Sequence, residues 1–472
     1  MQAGAKCGFL EVPLDYSKPT GQQIKLAVSR VTHKSSDADY QGPMLLNPGG
    51  PGGSGLIYAT FGDLVPDGAG DGYDWVGFDP RGVGSSEPSL SCVPDHDGYN
   101  RPYYVPISGE LEQTWLTRSA NYAQACGANG GPLLDHLTTI ESAYDMESIR
   151  RALGAEKINY YGFSYGTYLG QVYGTMFPDR LRRVVFDGVV NPKRVWYQAN
   201  IDQDVSFDRN IKVYFDWLAK HDDVYHLGDS ADEVELLYYS AQAKLIEAPA
   251  GGVIGPDEWT DIFLQAAYYV FGWEDIANAF AGWVHDGDWE TLRDLYGSPP
   301  FDDNSHAMYL GVSCTDVQWP PNYAKWRIDN WLTHLRAPFT TWGNAWFNAP
   351  CLNWPGAASE PLDIDGSGVP SALLINETYD AATPYPGAIE VRKRFPKAVL
   401  VEGVGGTTHS GSLSGVTCTD SIIVAYLKTG TLPERKQGNG SDVQCDPVPQ
   451  PEPGARTAST GERAELAAPI PR

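Results

Sequence analysis

One short stretch limits the folds open to this chain more than any other. The apolar run "KINYY", Lys157–Tyr161, leads into Gly162-Phe163-Ser164-Tyr165-Gly166, and "YGTYLGQVYGTMF" follows as a helix stopped by Pro178. A buried-type strand that turns tightly into a helix belongs to a strand–helix succession, which builds a parallel sheet. The neighbouring text agrees. "IKLAVSRV" alternates, "PMLLN" and "YDWVGFDPRG" are apolar runs ending in turn residues, and "LRRVVFDGV" follows the helix. In "TTIESAYDMESIRRALG", Ala143, Met146, Ile149 and Leu153 share one helical face and Gly154 marks a stop. The pattern resumes late in the chain as "SALLIN", a helix in "PGAIEVRKRF", the strand "AVLVEG" and a closing helix in "CTDSIIVAYLKTG".

Between these halves the text changes. Of the 14 tryptophans, 12 lie between residues 196 and 354, among helix-like stretches such as "WTDIFLQAAYYVF" and "WEDIANAFAGWV". The expected organisation is a core over 1–195, an inserted helical lid over 196–354 and a second core segment over 355–447. A Pro-rich, charged tail over 448–472 is expected to be disordered.

The net charge of −25 opposes binding to nucleic acid or anionic membranes, and no apolar run approaches membrane-spanning length. The opening "MQAGAKCGFLEV" lacks the regions of a leader, so the chain reads either as cytoplasmic or as an exported protein trimmed of its leader. The seven cysteines show no zinc-like spacing. Proximity favours the pairs Cys92–Cys126, Cys314–Cys351 and Cys418–Cys445, with Cys7 left over, and such pairs favour an oxidising compartment.

A serine on a strained strand-to-helix turn is a candidate nucleophile. It needs a histidine to take its proton and a carboxylate to orient that histidine. After His334 the only histidine is His409, just beyond "AVLVEG". Asp380 in "DAATP", after "SALLIN", is the preferred acid; Glu377 is a second choice, and Asp187 could orient a histidine instead. Acyl transfer also needs two main-chain N–H groups facing the carbonyl oxygen as it gains charge. Tyr165 supplies one, and Gly50 in "NPGGPGGSG" is expected to supply the other. That loop also matches G-x-G-x-x-G, with Asp74 and Asp79 downstream. A dinucleotide site is disfavoured because Pro51 removes an amide and no helix is evident at Gly55. No cofactor is called for.

Together "VPLDY", "NPGGPGGSG", "GFDPRGVGSS", "GFSYGTYLG", "FDGVVNP" and "DAATP" resemble the secreted actinobacterial tripeptidyl aminopeptidases, relatives of prolyl aminopeptidases within the α/β-hydrolases. The resemblance spans about residues 7 to 447. It implies an α/β-hydrolase fold with a mostly parallel sheet and a large helical lid. It also implies Ser164, Asp380 and His409 as the triad, with the amides of Gly50 and Tyr165 as the oxyanion hole. The implied activity is that of a serine exopeptidase removing short peptides from substrates with a free N-terminus, usually outside the cell. One departure is Thr408, where many relatives have glycine before the histidine. An exopeptidase needs an acid for the substrate's ammonium, and Glu274 and Asp316 are the lid candidates. The rival readings are an esterase with the same triad and a catalytically silent binding protein.

Overall fold

The computed structural model describes residues 4–454. Among them, nine strands form one sheet: β1 (Lys6–Pro13), β2 (Gln23–Val31), β3 (Pro43–Asn47), β4 (Asp74–Phe78), β5 (Ile158–Phe163), β6 (Leu181–Asp187), β7 (Ala372–Glu377), β8 (Ala398–Gly403) and β9 (Val443–Cys445). The spatial order is β1-β2-β4-β3-β5-β6-β7-β8-β9. β1 and β2 pair antiparallel, as do β2 and β4, and all later pairings are parallel. β3, β4, β5, β7 and β8 are buried throughout. A parallel sheet covered on both faces requires this, and it explains why those segments read as unbroken apolar runs.

Helices α1 (Gly109–Gly130), α2 (Thr139–Ala152) and α3 (Tyr165–Met176) precede β6. Ala143, Met146 and Ile149 of α2 are buried as the spacing predicts, and Gly154 ends the segment at φ +67°. Nine helices separate β6 from β7: α4 (Tyr197–Lys220), α5 (Asp222–Tyr225), α6 (Ala231–Glu247), α7 (Pro256–Tyr268), α8 (Trp273–Asp286), α9 (Glu290–Tyr296), α10 (Asn304–Asp316), α11 (Tyr323–His334) and α12 (Thr341–Asn348). Most of them surround a core of their own that includes Tyr214, Trp217, Trp259, Phe263 and Trp273. The remaining helices are α13 (Pro386–Arg394) and α14 (Thr417–Thr429).

The segment before α2 joins this helical layer. Arg101 forms ion pairs with Glu258 and Asp261 of α7, and Trp115 of α1 stacks on Trp346 of α12. Three disulfides, Cys92–Cys126, Cys314–Cys351 and Cys418–Cys445, match the expected pairing, and Cys7 is free and exposed. No helix among the described residues is long and apolar enough to cross a membrane.

The expected tail over 448–472 lies outside the described residues from 455 onward. Its first part departs from the expectation of disorder. Val448 is buried, Pro451 accepts a hydrogen bond from the Trp217 indole at 2.9 Å, and the Gly454 N–H donates to Glu274 at 2.9 Å. Pinned at Cys445 by a disulfide, this segment runs from the sheet edge onto α4 and α8.

Candidate active site

Ser164 joins β5 to α3 at φ 53° and ψ −126°, a conformation that non-glycine residues rarely adopt. Its N–H donates to the Asp187 carbonyl at 3.0 Å, which ties the turn to the end of β6. The bracketing glycines are required sterically. A Cβ on Gly162 would lie 2.6 Å from the Gly166 carbonyl oxygen, and one on Gly166 would lie 2.5 Å from that of Asn47. The close strand–helix packing that raises the serine above the sheet therefore excludes any side chain at either position.

The loop after β3 crosses directly over this turn. A Cβ on Gly49, at φ +100°, would stand 2.8 Å from Ser164 Cβ and 2.6 Å from the Phe163 carbonyl oxygen. The Gly49 N–H is taken by Asn47 Oδ1 at 3.0 Å, whereas the Gly50 N–H has no hydrogen bond among the described residues. Tyr165 is the first residue of α3, so its N–H has no partner within the helix. Gly49→Ala is therefore expected to push the Gly50 amide out of place and lower kcat by about 10²-fold, the usual cost of one oxyanion donor. Steady-state kinetics alongside a thermal melt would check this; an unchanged kcat would mean that Gly50 is not a donor.

The rival nucleotide reading has no support in this geometry. Asp79 accepts from Ser54 Oγ, the Gly55 N–H and the Ser85 N–H, and Asp74 pairs with Arg30 and accepts from the His33 N–H. Both acids are structural, and a short 3-10 segment, Leu56–Leu64, follows the glycines instead of an α-helix.

His409 and Asp380 meet in a buried pair. His409 Nδ1 lies 2.8 Å from Asp380 Oδ2 and 3.0 Å from Oδ1. The "DAATP" turn orients the carboxylate, because Thr383 donates its N–H to Oδ1 at 2.9 Å and its hydroxyl to Oδ2 at 2.8 Å. With Nδ1 turned to the acid, Nε2 is the ring atom left for the nucleophile. Among the described residues no hydrogen bond joins Ser164 Oγ to the ring. The two residues come together through the end of β6: Asp187 O accepts from the Ser164 N–H and from Ser410 Oγ, and a Cβ on Gly188 would lie 2.8 Å from His409 Cε1. Bonds of this kind are often long in the free enzyme and shorten when substrate binds.

The two other acids weighed from the sequence hold the histidine loop. Asp187 Oδ2 accepts the Ser412 N–H at 2.8 Å, and Glu377 Oε2 accepts the Thr408 N–H at 2.5 Å. The helical layer grips the same loops. The His409 N–H donates to the Tyr268 carbonyl at 2.9 Å, and Asn210 of α4 donates to the carbonyls of Tyr379 and Thr407. Nothing in the local sequence marks Asn210 for this role.

Two cavities open from Ser164 and Gly50. The first runs beneath the helical layer and is lined by Trp115, Phe207, Asp261, Tyr268, Asn344 and Trp346, and also by His96, Asp97 and His306. The second is lined by Tyr165, Asn200, Asp380, Thr383 and three arginines, Arg194, Arg209 and Arg336. His96, Asp97 and His306 offer donor atoms within 4.8 Å of one another. Two of them already have partners: His306 Nδ1 faces Asp97 at 3.0 Å and Nε2 donates to the Phe347 carbonyl, while the His96 ring packs against Tyr122 and His306.

Neither acid expected to meet a substrate ammonium lines either of these two cavities. Glu274 lies in the first turn of α8 and holds Gly454. Asp316 is buried and accepts from the Thr139 N–H, the Thr139 hydroxyl and the Trp196 indole; burial still pushes its carboxyl up to about 6. Since Thr139 also bonds the Tyr165 hydroxyl, Asp316 braces the residue that follows Ser164. Sequence reasoning missed Asp204 of α4. It is fully buried beside Asn200 and Asn344, which line the two cavities, and accepts from Asn344 at 2.8 Å. Burial holds its carboxyl well above the ordinary range, and no cation pairs with it among the described residues. The one available signal was its spacing: Phe207 and Ile211, three and seven residues on, place Asp204 on the buried face of the helix.

A serine on such a turn, an Asp–His pair after the later strands and free amides beside the serine define the α/β-hydrolase class. The family model described as alpha/beta hydrolase fold matches residues 42–415, and the chain belongs to that family. It is 41% identical over 464 residues to a tripeptidyl aminopeptidase of Streptomyces lividans, covering 95% of this chain and 85% of that protein. It is 30% identical to the serine protease Hip1 of Mycobacterium tuberculosis, covering 91% of this chain and 86% of that one. It is also 31% identical to carboxylesterase B of the same organism, covering 91% of this chain and 85% of the relative.

Proposed function

We propose that the chain is a serine exopeptidase that releases short peptides, tripeptides by the likeness to the Streptomyces protein, from free N-termini through an acyl-enzyme. His409 takes the proton of Ser164 as Oγ attacks the scissile carbonyl, and the amides of Gly50 and Tyr165 hold the oxyanion. The imidazolium, stabilised by Asp380, then gives its proton to the leaving amine, and water repeats the sequence to free the acyl group.

The observation that carries the exopeptidase reading is the buried Asp204, which lines neither cavity itself but stands directly behind Asn344 and Asn200, which do. Burial favours its uncharged form in the free protein, and an α-ammonium arriving in the first cavity beside Asn344 supplies the cation that stabilises the ionised form. The leaving chain would occupy the second cavity, with its three arginines. The three disulfides support an oxidising, extracellular setting.

The experiment compares a free-amine tripeptide anilide with its N-acetylated form. The free substrate is expected to be preferred by about 10²-fold in kcat/KM, and Asp204→Asn should remove that preference without slowing the blocked substrate, since an unpaired buried charge costs a few kcal/mol. The likeness to carboxylesterase B favours a second reading, esterase action. Equal turnover of both anilides would select it, whereas a free-amine preference unmoved by Asp204→Asn would overturn only the assignment of Asp204 to the ammonium.

A further inference from the structure

Glu377 is a buried carboxylate at the end of β7 that the proposed reaction does not use. Its two oxygens have different tasks. Oε2 accepts the N–H of Thr408, the residue before the base, at 2.5 Å, and Oε1 accepts the N–H of Val448 at 2.6 Å. The site is built tightly around it: a Cβ on Gly406 would run into the carboxylate, and one on Gly403 would stand 2.9 Å from Glu377 Cγ. Beyond Val448 the segment continues to Trp217 of α4 and to Glu274 of α8. Thr408 in turn accepts the Val270 N–H, after α7, on its hydroxyl. The base-bearing loop, the segment after β9 and the helical layer therefore converge on one side chain.

Resting on the assignment of His409 as the base, we infer that Glu377 is a positioning residue, a clamp whose ionised form fastens the His409 loop to the strap formed by residues 446–454. Both oxygens of a carboxylate accept hydrogen bonds, and bonds from N–H to an ionised group are the strong ones. The hydrogen of a protonated carboxyl sits on one of these two oxygens, where it competes with the facing N–H, and both bonds lose their charge assistance. Protonation thus loosens either the histidine loop or the strap.

The direction of the pH effect follows from the surroundings. Burial raises the carboxyl to about 8, opposed by the Val448 and Thr408 N–H donors and reinforced by the negative charges of Asp380 and Asp187. No cation pairs with Glu377 among the described residues, and His409 is committed to Asp380. The clamp is closed above about 8 and opens as pH falls through that value.

The test measures kcat/KM for the free-amine tripeptide anilide, and the rate of fluorophosphonate labelling of Ser164, from pH 6 to 9.5, with Ser164→Ala as the blank. In the wild type both acid limbs are expected to contain a second ionisation near 8. Glu377→Gln should lose that ionisation, and its value at high pH should fall by about 10²-fold, the scale of a small misplacement of a reacting group. At low pH it should fall little. A uniform drop with an unchanged profile shape would mark a merely structural residue and overturn the inference, as would an unaltered profile. Should Glu377→Gln not fold, Val448→Pro removes only the donor on Oε1. Losing a donor that lowers the ionisation should move the acid limb to higher pH, and an unmoved limb would overturn the clamp. Hydrolysis persisting in Ser164→Ala would overturn the catalytic assignment instead.

Discussion

Ser164→Ala is expected to lower kcat by about 10⁶-fold, the scale seen when the nucleophile of a comparable triad is removed. Without Oγ no acyl-enzyme can form, and what remains is binding and the oxyanion site acting on water. The substitution keeps Cβ and the strained turn, because the Ser164 N–H bond to Asp187 is a main-chain contact. The melting temperature should therefore stay within a few degrees of the wild type. Mass spectrometry after fluorophosphonate treatment should find the adduct on Ser164 in the wild type and none in the variant. A variant that keeps even one per cent of the wild-type kcat would place the nucleophile elsewhere.

Asp380→Asn should come next, with a loss of about 10⁴-fold in kcat and little change in KM. The Thr383 N–H fixes which atom of the new amide goes where. It donates to Oδ1, so the carbonyl oxygen must stay there and the NH2 must take the Oδ2 position, facing His409 Nδ1 at 2.8 Å. The ring then accepts at Nδ1 and carries its hydrogen on Nε2, the wrong tautomer to receive the serine proton. The crystal structure of the variant should be nearly unchanged while turnover falls. A loss below tenfold would shift the orienting role to Asp187 or Glu377. The contrast with Glu377→Gln is diagnostic, because that variant is expected to change the pH profile whereas Asp380→Asn lowers turnover across it.

Legibility in the sequence varied from element to element. β5, β6, β7 and β8 were readable because strands buried on both faces are written as apolar runs. β1 was not read, because most of its residues are exposed at the sheet edge and its burial does not alternate. α1 also escaped, since its buried positions, among them Trp115, Tyr122 and Cys126, are spread through a largely polar helix and packed by partners distant in the chain. Ser164, Asp380 and His409 could be chosen because each follows a recognisable strand, and a parallel sheet brings the ends of such strands to one edge. The substrate-side acids could not. Both Glu274 and Asp316 fall in the lid by sequence position, yet Glu274 reaches the strap and Asp316 faces Thr139 and Trp196.

By itself the sequence determined the alternation of strand and helix, the glycine-bracketed turn and the order serine–acid–histidine along the chain, and proximity along it favoured the three cysteine pairs that the structure contains. These depend on period, on steric permission at single positions and on short loop closures, all of which are local. Only the tertiary structure decided which carboxylates lack a cation, which one clamps the base and which amide is free to meet an oxyanion. Those properties are set by desolvation and by hydrogen-bond partners: Asn344 lies 140 residues from Asp204, and Val448 lies 71 residues from Glu377.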